Sequence, residues 1–218
     1  MKILFLGDSI TQGIGASAEQ FNYVNRVKNA LGCEVINYGV SGTRIARQTH
    51  MFFSPMSNYD FRLRAVIMDE DADLVFVFGG TNDYGHGICH LGDIRSRNED
   101  TFVGNLRLLI EYMTEKYGKD KLCFLLPLRR SDEDPVACKG VTNNELGASL
   151  EEYVCAMRAI LTEYGIDFID LYENGIPKPL ARAADEYTAD GVHPNDKGHA
   201  LVADKILAYI REKHPNLR

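Results

Sequence analysis

The sequence predicts an α/β protein, a three-layer α/β/α sandwich built on a five-stranded parallel sheet with flavodoxin-like winding. Two observations support this prediction. Short apolar runs alternate along the chain with segments of helical periodicity, which is typical of βαβ units. Right-handed connections between parallel strands then place helices on both faces of the sheet. The sequence shows no linker, repeat or low-complexity segment, so we expect a single domain over residues 1–218.

The expected elements follow from the apolar patterns. The strand candidates are short runs bounded by glycine or polar turns, at 3–6, 34–38, 74–78, 122–126 and 167–171. The helix candidates carry apolar residues at helical spacing, at 17–31, 61–69, 102–117, 142–164 and 195–213. Segments that resemble capping boxes, at 17–20 and 142–145, open the first and fourth of these helices.

The net charge and the hydropathy of the sequence disfavour some classes of binding partner. The formal net charge of −7 disfavours non-specific binding to nucleic acid or to anionic membrane surfaces. No apolar run approaches the roughly 20 residues of a membrane span. The apolar stretch before Gly7 is shorter than a signal peptide requires. We therefore expect a small-molecule substrate, no nucleic-acid partner and no membrane insertion, while the oligomeric state stays open.

The cysteines indicate the compartment. The five cysteines are scattered, odd in number and form no CxxC pair, so they do not make a disulfide framework. Such usage is typical of a reducing compartment, and we expect a cytoplasmic protein. Cys123 lies in an apolar strand pattern and Cys155 in a helical one, so both are expected in the core.

The functional hypothesis starts from the segment that follows the first strand. That strand ends at Gly7, and Ser9 follows in a short polar turn. Ligands bind at the carboxyl ends of parallel strands, and a hydroxyl there is a candidate nucleophile if a base lies nearby. On this stretch alone, a serine that caps the following turn or helix is the better interpretation.

Three further segments reverse that ranking, because a parallel sheet brings them to the same edge as Ser9. The second strand ends near Gly39, a glycine-rich turn with Asn82 follows the third strand, and Asp190 and His193 follow the fifth. Acyl transfer needs a serine nucleophile, a histidine base, a carboxylate that orients the base, and donors for the oxyanion. The backbone N–H groups of Ser9 and Gly39 and the amide of Asn82 are candidate donors. A glycine at position 39 suits close approach of the backbone to a substrate.

These residues lie in four blocks that resemble those of the SGNH hydrolases, also called the GDSL esterase/lipase family. The blocks are at 7–11, 37–42, 79–83 and 190–194 and together span nearly the whole chain. The resemblance implies that Ser9 is the nucleophile, His193 the base and Asp190 its orienting carboxylate. It further implies an oxyanion hole made by Ser9, Gly39 and Asn82, and a serine esterase that works through an acyl-enzyme intermediate.

Other functional classes remain open at this point. One is a non-catalytic binding module on a flavodoxin-like sheet, although no phosphate-binding glycine motif follows the first strand. Another is a lipase or lysophospholipase that acts on longer acyl esters. His86, Cys89 and His90 have a spacing suited to a metal, but no further ligands are evident. We therefore expect no metal and no cofactor.

The loops that border the nucleophile bear on substrate size. The loop at 84–100 contains few sizeable apolar side chains among charged residues and histidines. Such a loop suits a short-chain ester of a polar or carbohydrate-like substrate, with acetyl as the smallest acyl group. The segment 51–53 is equally suited to line an acyl pocket or to anchor a long loop. The charged segment 131–134 is expected to be a solvated turn, and His50, His199 and His214 are expected to be ordinary surface or core residues.

Overall fold

A five-stranded, fully parallel sheet forms the centre of the computed structural model, which describes residues 1–47, 60–133 and 147–217. The strands are β1 (Lys2–Gly7), β2 (Glu34–Gly39), β3 (Leu74–Phe78), β4 (Leu122–Leu125) and β5 (Asp167–Ile169). Their order across the sheet is β2-β1-β3-β4-β5, so the predicted flavodoxin-like winding is confirmed. In this order the direction of winding reverses between β1 and β3, which is where such sheets bind ligands.

Helices cover both faces of the sheet. They are α1 (Ser9–Gln12), α2 (Tyr23–Leu31), α3 (Phe61–Val66), α4 (Thr81–His86), α5 (Phe102–Tyr117), α6 (Leu150–Tyr164), α7 (Leu171–Asn174) and α8 (Asp196–Lys213). Side chains alternate along β1, so that Leu4 and Leu6 pack with α3, α5 and α6, while Ile3 and Phe5 pack with α2 and α8. The strand is buried on both faces, as its unbroken apolar run predicted, and the three-layer sandwich is confirmed.

The start of α2 differs from the sequence prediction. Ser17 does not cap a helix, because its backbone N–H and its hydroxyl both donate to the carboxylate of Asp196 at 2.7 and 2.6 Å. A 3-10 turn at Glu19–Phe21 follows, and the Asn22 side chain caps α2 by accepting from the Val24 N–H at 2.9 Å. A bond to the distant start of α8 thus replaces the expected capping box.

Several element ends are also shorter than predicted. α3 ends at Val66 and β5 at Ile169, where the chain turns into α7. The capping box at 142–145 lies outside the described residues, and within them α6 begins at Leu150 with a capping box formed by Ser149 and Glu152. α8 begins after an Asn195 cap and ends at Lys213, as predicted.

The described cysteines, Cys33, Cys89, Cys123 and Cys155, are free thiols. Cys123 is buried in β4 as predicted, but the prediction for Cys155 is wrong, since this residue lies on the exposed side of α6. Among the described residues, no helix combines the length and the apolar character needed to cross a membrane. His199 is fully buried and stacks on Tyr23, which confirms its ordinary core role.

Candidate active site

The nucleophile candidate sits at the first residue of a helix that begins where β1 ends. Gly7 of β1 pairs with Gly39 of β2 and with Phe78 of β3, so the three strand ends are level. Asp8 caps α1 by accepting from the Ile10 N–H at 3.0 Å. Because Asp8 takes the capping position, Ser9 is left to present its hydroxyl at the edge of the sheet. Burial raises the pKa of Asp8 to about 6.

Ser9, His193 and Asp190 form a continuous hydrogen-bonded chain. The Ser9 Oγ lies 2.9 Å from His193 Nε2, and His193 Nδ1 lies 2.7 Å from Asp190 Oδ2. The second oxygen of Asp190 accepts from the backbone N–H groups of Val192 and His193 at 3.0 and 2.8 Å. An Nδ1–H that donates to Asp190 leaves Nε2 with a lone pair for the serine proton, which is the tautomer a general base requires.

The local turn explains why Asp190 and His193 face each other. One carboxylate oxygen closes the turn through the backbone, while the other orients the imidazole three residues later. Partial burial opposes ionisation of Asp190, yet the hydrogen bonds from His193 outweigh it and hold the pKa of this carboxyl below its usual value. The carboxylate is therefore ionised at neutral pH, where it favours a protonated imidazole during a reaction.

Asn82 lies near the start of α4, in the helix that follows β3. Its Nδ2 donates to the Thr43 carbonyl at 3.0 Å, and its Oδ1 lies 3.0 Å from His86 Nε2. Burial, with the charges of Arg44 and Arg130, lowers the pKa of His86 to about 4. His86 is thus neutral at pH 7, and its Nε2–H donates to the amide oxygen. This pairing fixes which end of the amide carries the donors.

Gly39 does not join the other two oxyanion-hole candidates, so the sequence prediction is corrected at this position. Its N–H donates to Asn37 Oδ1 at 2.8 Å, and Gly39 is absent from the described residues that line the cleft. A Cβ at position 39 would lie 2.2 Å from the Gln12 backbone nitrogen. The glycine therefore permits close packing of β2 against α1, and not close approach to a substrate. Gly42, three residues later, lines the cleft with φ at +76°.

Buried charges hold the converging loops together. Arg64 Nη1 donates to the Gly7 carbonyl at 2.9 Å and to Thr43 Oγ1 at 2.7 Å, and its Nη2 donates to the Tyr38 carbonyl. Asp83 accepts from the backbone N–H groups of Ile45 and Ala46, in the loop that follows β2, at 3.0 and 2.7 Å. Burial raises the pKa of Asp83 to about 6. Asp8 and Asp83 thus support the loops around Ser9 and Asn82, because both carboxylates accept hydrogen bonds from backbone N–H groups.

The three residues of the hydrogen-bonded chain open onto a cleft of about 360 Å³. The described residues that line it are mostly polar: Ser9, Ile14, Ser41, Gly42, Asn82, His86, Arg130, Arg182, Asp190, Val192 and His193. Of the loop at 84–100, only His86 is among them, so the expectation that this loop forms a cleft wall is corrected. Tyr84 is buried under the loop and packs against Tyr153.

Two arginines of the cleft, Arg130 and Arg182, were missed from the sequence. Both pair with Asp132, which belongs to the segment 131–134 that was expected to be a solvated turn. Asp132 and Glu133 are buried, which corrects that expectation. Asp132 pairs with Arg130 and Arg182, and Glu133 pairs with Arg129 and with Lys178 at 3.3 Å. The near-equal mixture of arginines and acids in 129–133 was the available signal that these charges pair.

The histidines and the cysteine with metal-like spacing do not converge. His86 points to Asn82, the Cys89 thiol lies 3.7 Å from the Arg47 carbonyl, and His90 is exposed. Within the described ranges, no three histidine, cysteine or acidic side chains are arranged to hold a metal ion. The hypotheses on His50 and on the segment 51–53 lie outside the described residues.

Comparison with known proteins shows the family to which this chain belongs. A sequence model of the GDSL-like lipase/acylhydrolase family matches residues 5–201. An acetylxylan esterase from Xylanibacter ruminicola is 24% identical over 228 aligned positions, which cover 97% of this chain and 43% of that protein. The chain thus spans less than half the length of this relative.

Solved structures share the whole fold. A protein from Lactobacillus plantarum has a TM-score of 0.80 at 27% identity, over 97% of this chain and 96% of that one. A carbohydrate acetylesterase family member from Sinorhizobium meliloti has a TM-score of 0.67 at 18% identity, over 97% and 98% of the two chains. Since the family match covers most of the sequence and includes all four blocks, this protein belongs to the GDSL-like lipase/acylhydrolase family.

Proposed function

We propose that this acylhydrolase is a serine esterase in which Ser9 is the nucleophile, His193 the general base and Asp190 the carboxylate that orients it. The observation that carries the proposal is the unbroken chain of contacts from Ser9 Oγ through both ring nitrogens of His193 to Asp190. Each group is paired with the neighbour that its role requires, at a distance suited to proton transfer.

In the proposed reaction, Ser9 Oγ attacks the ester carbonyl carbon while its proton passes to His193 Nε2. The protonated imidazole then donates this proton to the departing alcohol oxygen, and an acyl-serine remains. Water attacks the acyl carbon and gives a proton to Nε2, after which the carboxylic acid leaves and Ser9 regains its proton. Asp190 stays ionised throughout and stabilises the imidazolium at both stages.

The oxyanion that forms at each attack needs donors on the opposite side of the carbonyl. Ser9 is the first residue of α1, where the first helical bond runs from the Gln12 N–H to the Asp8 carbonyl, so the helix supplies no acceptor for the Ser9 N–H. The Asn82 amide has two hydrogens and donates one of them to the Thr43 carbonyl. We assign the Ser9 N–H and the second hydrogen of Asn82 to the oxyanion.

A fluorophosphonate probe tests the nucleophile and separates an esterase from a non-catalytic binding module. The wild-type protein should be labelled covalently at Ser9, as found by mass spectrometry of the labelled peptide. Ser9→Ala should abolish labelling, whereas Ser17→Ala, which alters an exposed serine bound to Asp196, should leave it intact. A properly folded wild-type protein that resists the probe would favour the binding module.

The preferred substrate under this proposal is a short-chain ester, with acetyl the smallest acyl group, of a polar or carbohydrate-like alcohol. Among the described lining residues, Ile14 and Val192 supply the only large apolar side chains, which is too little to form a groove along an extended acyl chain. The names of two relatives, an acetylxylan esterase and a carbohydrate acetylesterase family member, agree with such a substrate.

Acyl-chain length provides a direct measurement. Each CH₂ of a bound chain gains roughly 0.8 kcal/mol only if it is buried against apolar surface. Because the cleft offers little such surface, we expect a higher kcat/KM for p-nitrophenyl acetate than for p-nitrophenyl octanoate. A preference for the octanoate would support the alternative, a lipase or lysophospholipase.

His86 should influence turnover through Asn82. In His86→Leu the amide oxygen of Asn82 loses its donor, so we expect kcat to fall roughly tenfold, a part of the 10²–10³ that a whole oxyanion donor contributes. His86→Gln can still donate to Asn82 and should retain most of the activity. In an Asn82→Ala background, His86→Leu should cost little more, and additive losses would contradict this coupling.

We also propose a cytoplasmic location, with a small-molecule ester as the binding partner and no nucleic-acid partner. The free thiols of the described cysteines suit a reducing compartment. The net charge of −7 opposes binding to nucleic acid.

A further inference from the structure

The cleft has a positively charged wall next to the proposed nucleophile. Arg130 and Arg182 both line the cleft, and both pair with Asp132, which lies behind them and is buried. One carboxylate shared by two guanidinium groups leaves this group of three with one net positive charge. Asp190 is the only carboxylate among the described lining residues, and His193 engages it.

Arg130 and Arg182 differ in how many of their guanidinium N–H groups are left to bind a ligand. Arg130 is buried, donates to both oxygens of Asp132, and uses Nη1 on the Thr81 carbonyl and hydroxyl at 2.9 and 3.1 Å. Arg182 directs Nε and Nη2 to Asp132 Oδ2, with Nε at 3.0 Å, and 45% of its side-chain surface is exposed. Its Nη1 donates to none of the described residues. Arg130 therefore holds Asp132 in place, and Arg182 presents a hydrogen-bond donor to the cleft.

The buried partners keep the guanidinium of Arg182 in place. Burial opposes ionisation of Asp132, yet the hydrogen bonds and charges of Arg130 and Arg182 outweigh it and hold the pKa of this carboxyl below its usual value. A second contact fixes the same two loops, since the Ser131 N–H donates to the Gly191 carbonyl at 2.9 Å, two residues before His193. A charge fixed in this way binds a ligand at a low cost in side-chain entropy.

We propose that Arg182 binds a carboxylate on the alcohol part of the ester, so that the enzyme favours esters of acidic alcohols such as sugar acids. This inference rests on the proposed esterase function and specifies its substrate class. A guanidinium matches a carboxylate in charge and in the direction of its hydrogen bonds.

Matched pairs of acetate esters test the proposal, namely 3- and 4-acetoxybenzoate against the uncharged 3- and 4-acetoxybenzamide. For each enzyme variant, the ratio of kcat/KM for acid over amide is the readout, because the reactivity of the leaving groups cancels between variants. Arg182→Gln should lower this ratio roughly tenfold for at least one pair, at the lower end of the effect of a charged hydrogen bond because the side chain is half-exposed. Added salt should lower the wild-type ratio as well.

Two further variants complete the design. Arg182→Lys keeps the charge and should retain most of the discrimination, while Arg62→Gln, an arginine on α3 that pairs with Glu99 and does not line the cleft, should leave the ratio unchanged. Equal losses on acid and amide in Arg182→Gln would assign Arg182 a structural role and overturn the proposal, although hydrolysis of the amides would uphold the esterase function. Failure of the wild-type protein to hydrolyse any of the four esters would overturn both.

Discussion

Replacing Ser9 with alanine is expected to lower kcat on p-nitrophenyl acetate by at least roughly 10⁴-fold, because the covalent route is lost with the nucleophile. His193→Ala should cause a loss of similar size, since the 2.9 Å contact between Ser9 Oγ and Nε2 is the only path for the serine proton among the described residues. The double variant should be little worse than either single one, because the two residues act as one unit. Steady-state kinetics with purified proteins measures all three.

The same series contains its own control for folding. Ser9→Ala removes one oxygen atom and leaves the Asp8 cap of α1 in place, so its thermal unfolding should match that of the wild-type protein. Asp190→Asn should reduce kcat through the wrong imidazole tautomer, while it also weakens the turn that Asp190 closes at Val192. Near-normal turnover by Ser9→Ala would disprove the proposed mechanism.

Asn82→Ala is expected to lower kcat by roughly 10²–10³-fold, the usual cost of losing one oxyanion donor. KM should change little, because the donor acts mainly on the negative charge that develops in the transition state. The variant also loses the buried bond to the Thr43 carbonyl, so we expect a decrease of about 1 kcal/mol in the free energy of unfolding. Kinetics and chemical denaturation on the same preparation separate the two effects.

Asn25→Ala is a suitable control for Asn82→Ala. Asn25 lies on α2 and donates to the Glu19 carbonyl in an exposed position, so its loss removes an amide without touching the cleft. Its kcat should equal that of the wild-type protein. A large rise in KM with unchanged kcat in Asn82→Ala would instead mean that Asn82 binds the ground-state substrate.

The strands could be predicted from the sequence because burial on both faces requires an unbroken apolar run. The run at β3 predicted its observed ends, Leu74 and Phe78. The short helices α1 and α4 could not be predicted in this way, since each has only one or two turns and no apolar periodicity. They exist because Asp8 and Gly80 begin a helix directly at a strand end. The predicted start of a helix was wrong where a tertiary contact took the capping side chain, as at Ser17, whose hydroxyl binds Asp196.

The residues of the site also differ in whether they could be predicted from the sequence. Ser9, Asn82, Asp190 and His193 could be proposed from the sequence because each proposed role requires a particular residue type at a strand end, and the structure brings all four to one cleft. Gly39 was assigned wrongly, because a glycine indicates that another group lies close to its backbone and does not reveal whether that group is a substrate or a neighbouring helix. The role of Arg182 depends on Asp132, fifty residues earlier, and pairing over that distance leaves no local pattern in the sequence.

The separation of 184 positions between Ser9 and His193 along the sequence has a consequence for synthesis and for protein engineering. During synthesis Ser9, the proposed nucleophile, leaves the ribosome well before His193, its proposed base, and α8, which follows His193, docks on α2. A fragment that ends before Asp190 carries all five strands and yet lacks the base, so it should be inert. The onset of hydrolysis therefore reports the final docking step. The same separation suits a split reporter, in which two fragments recover turnover only when they associate.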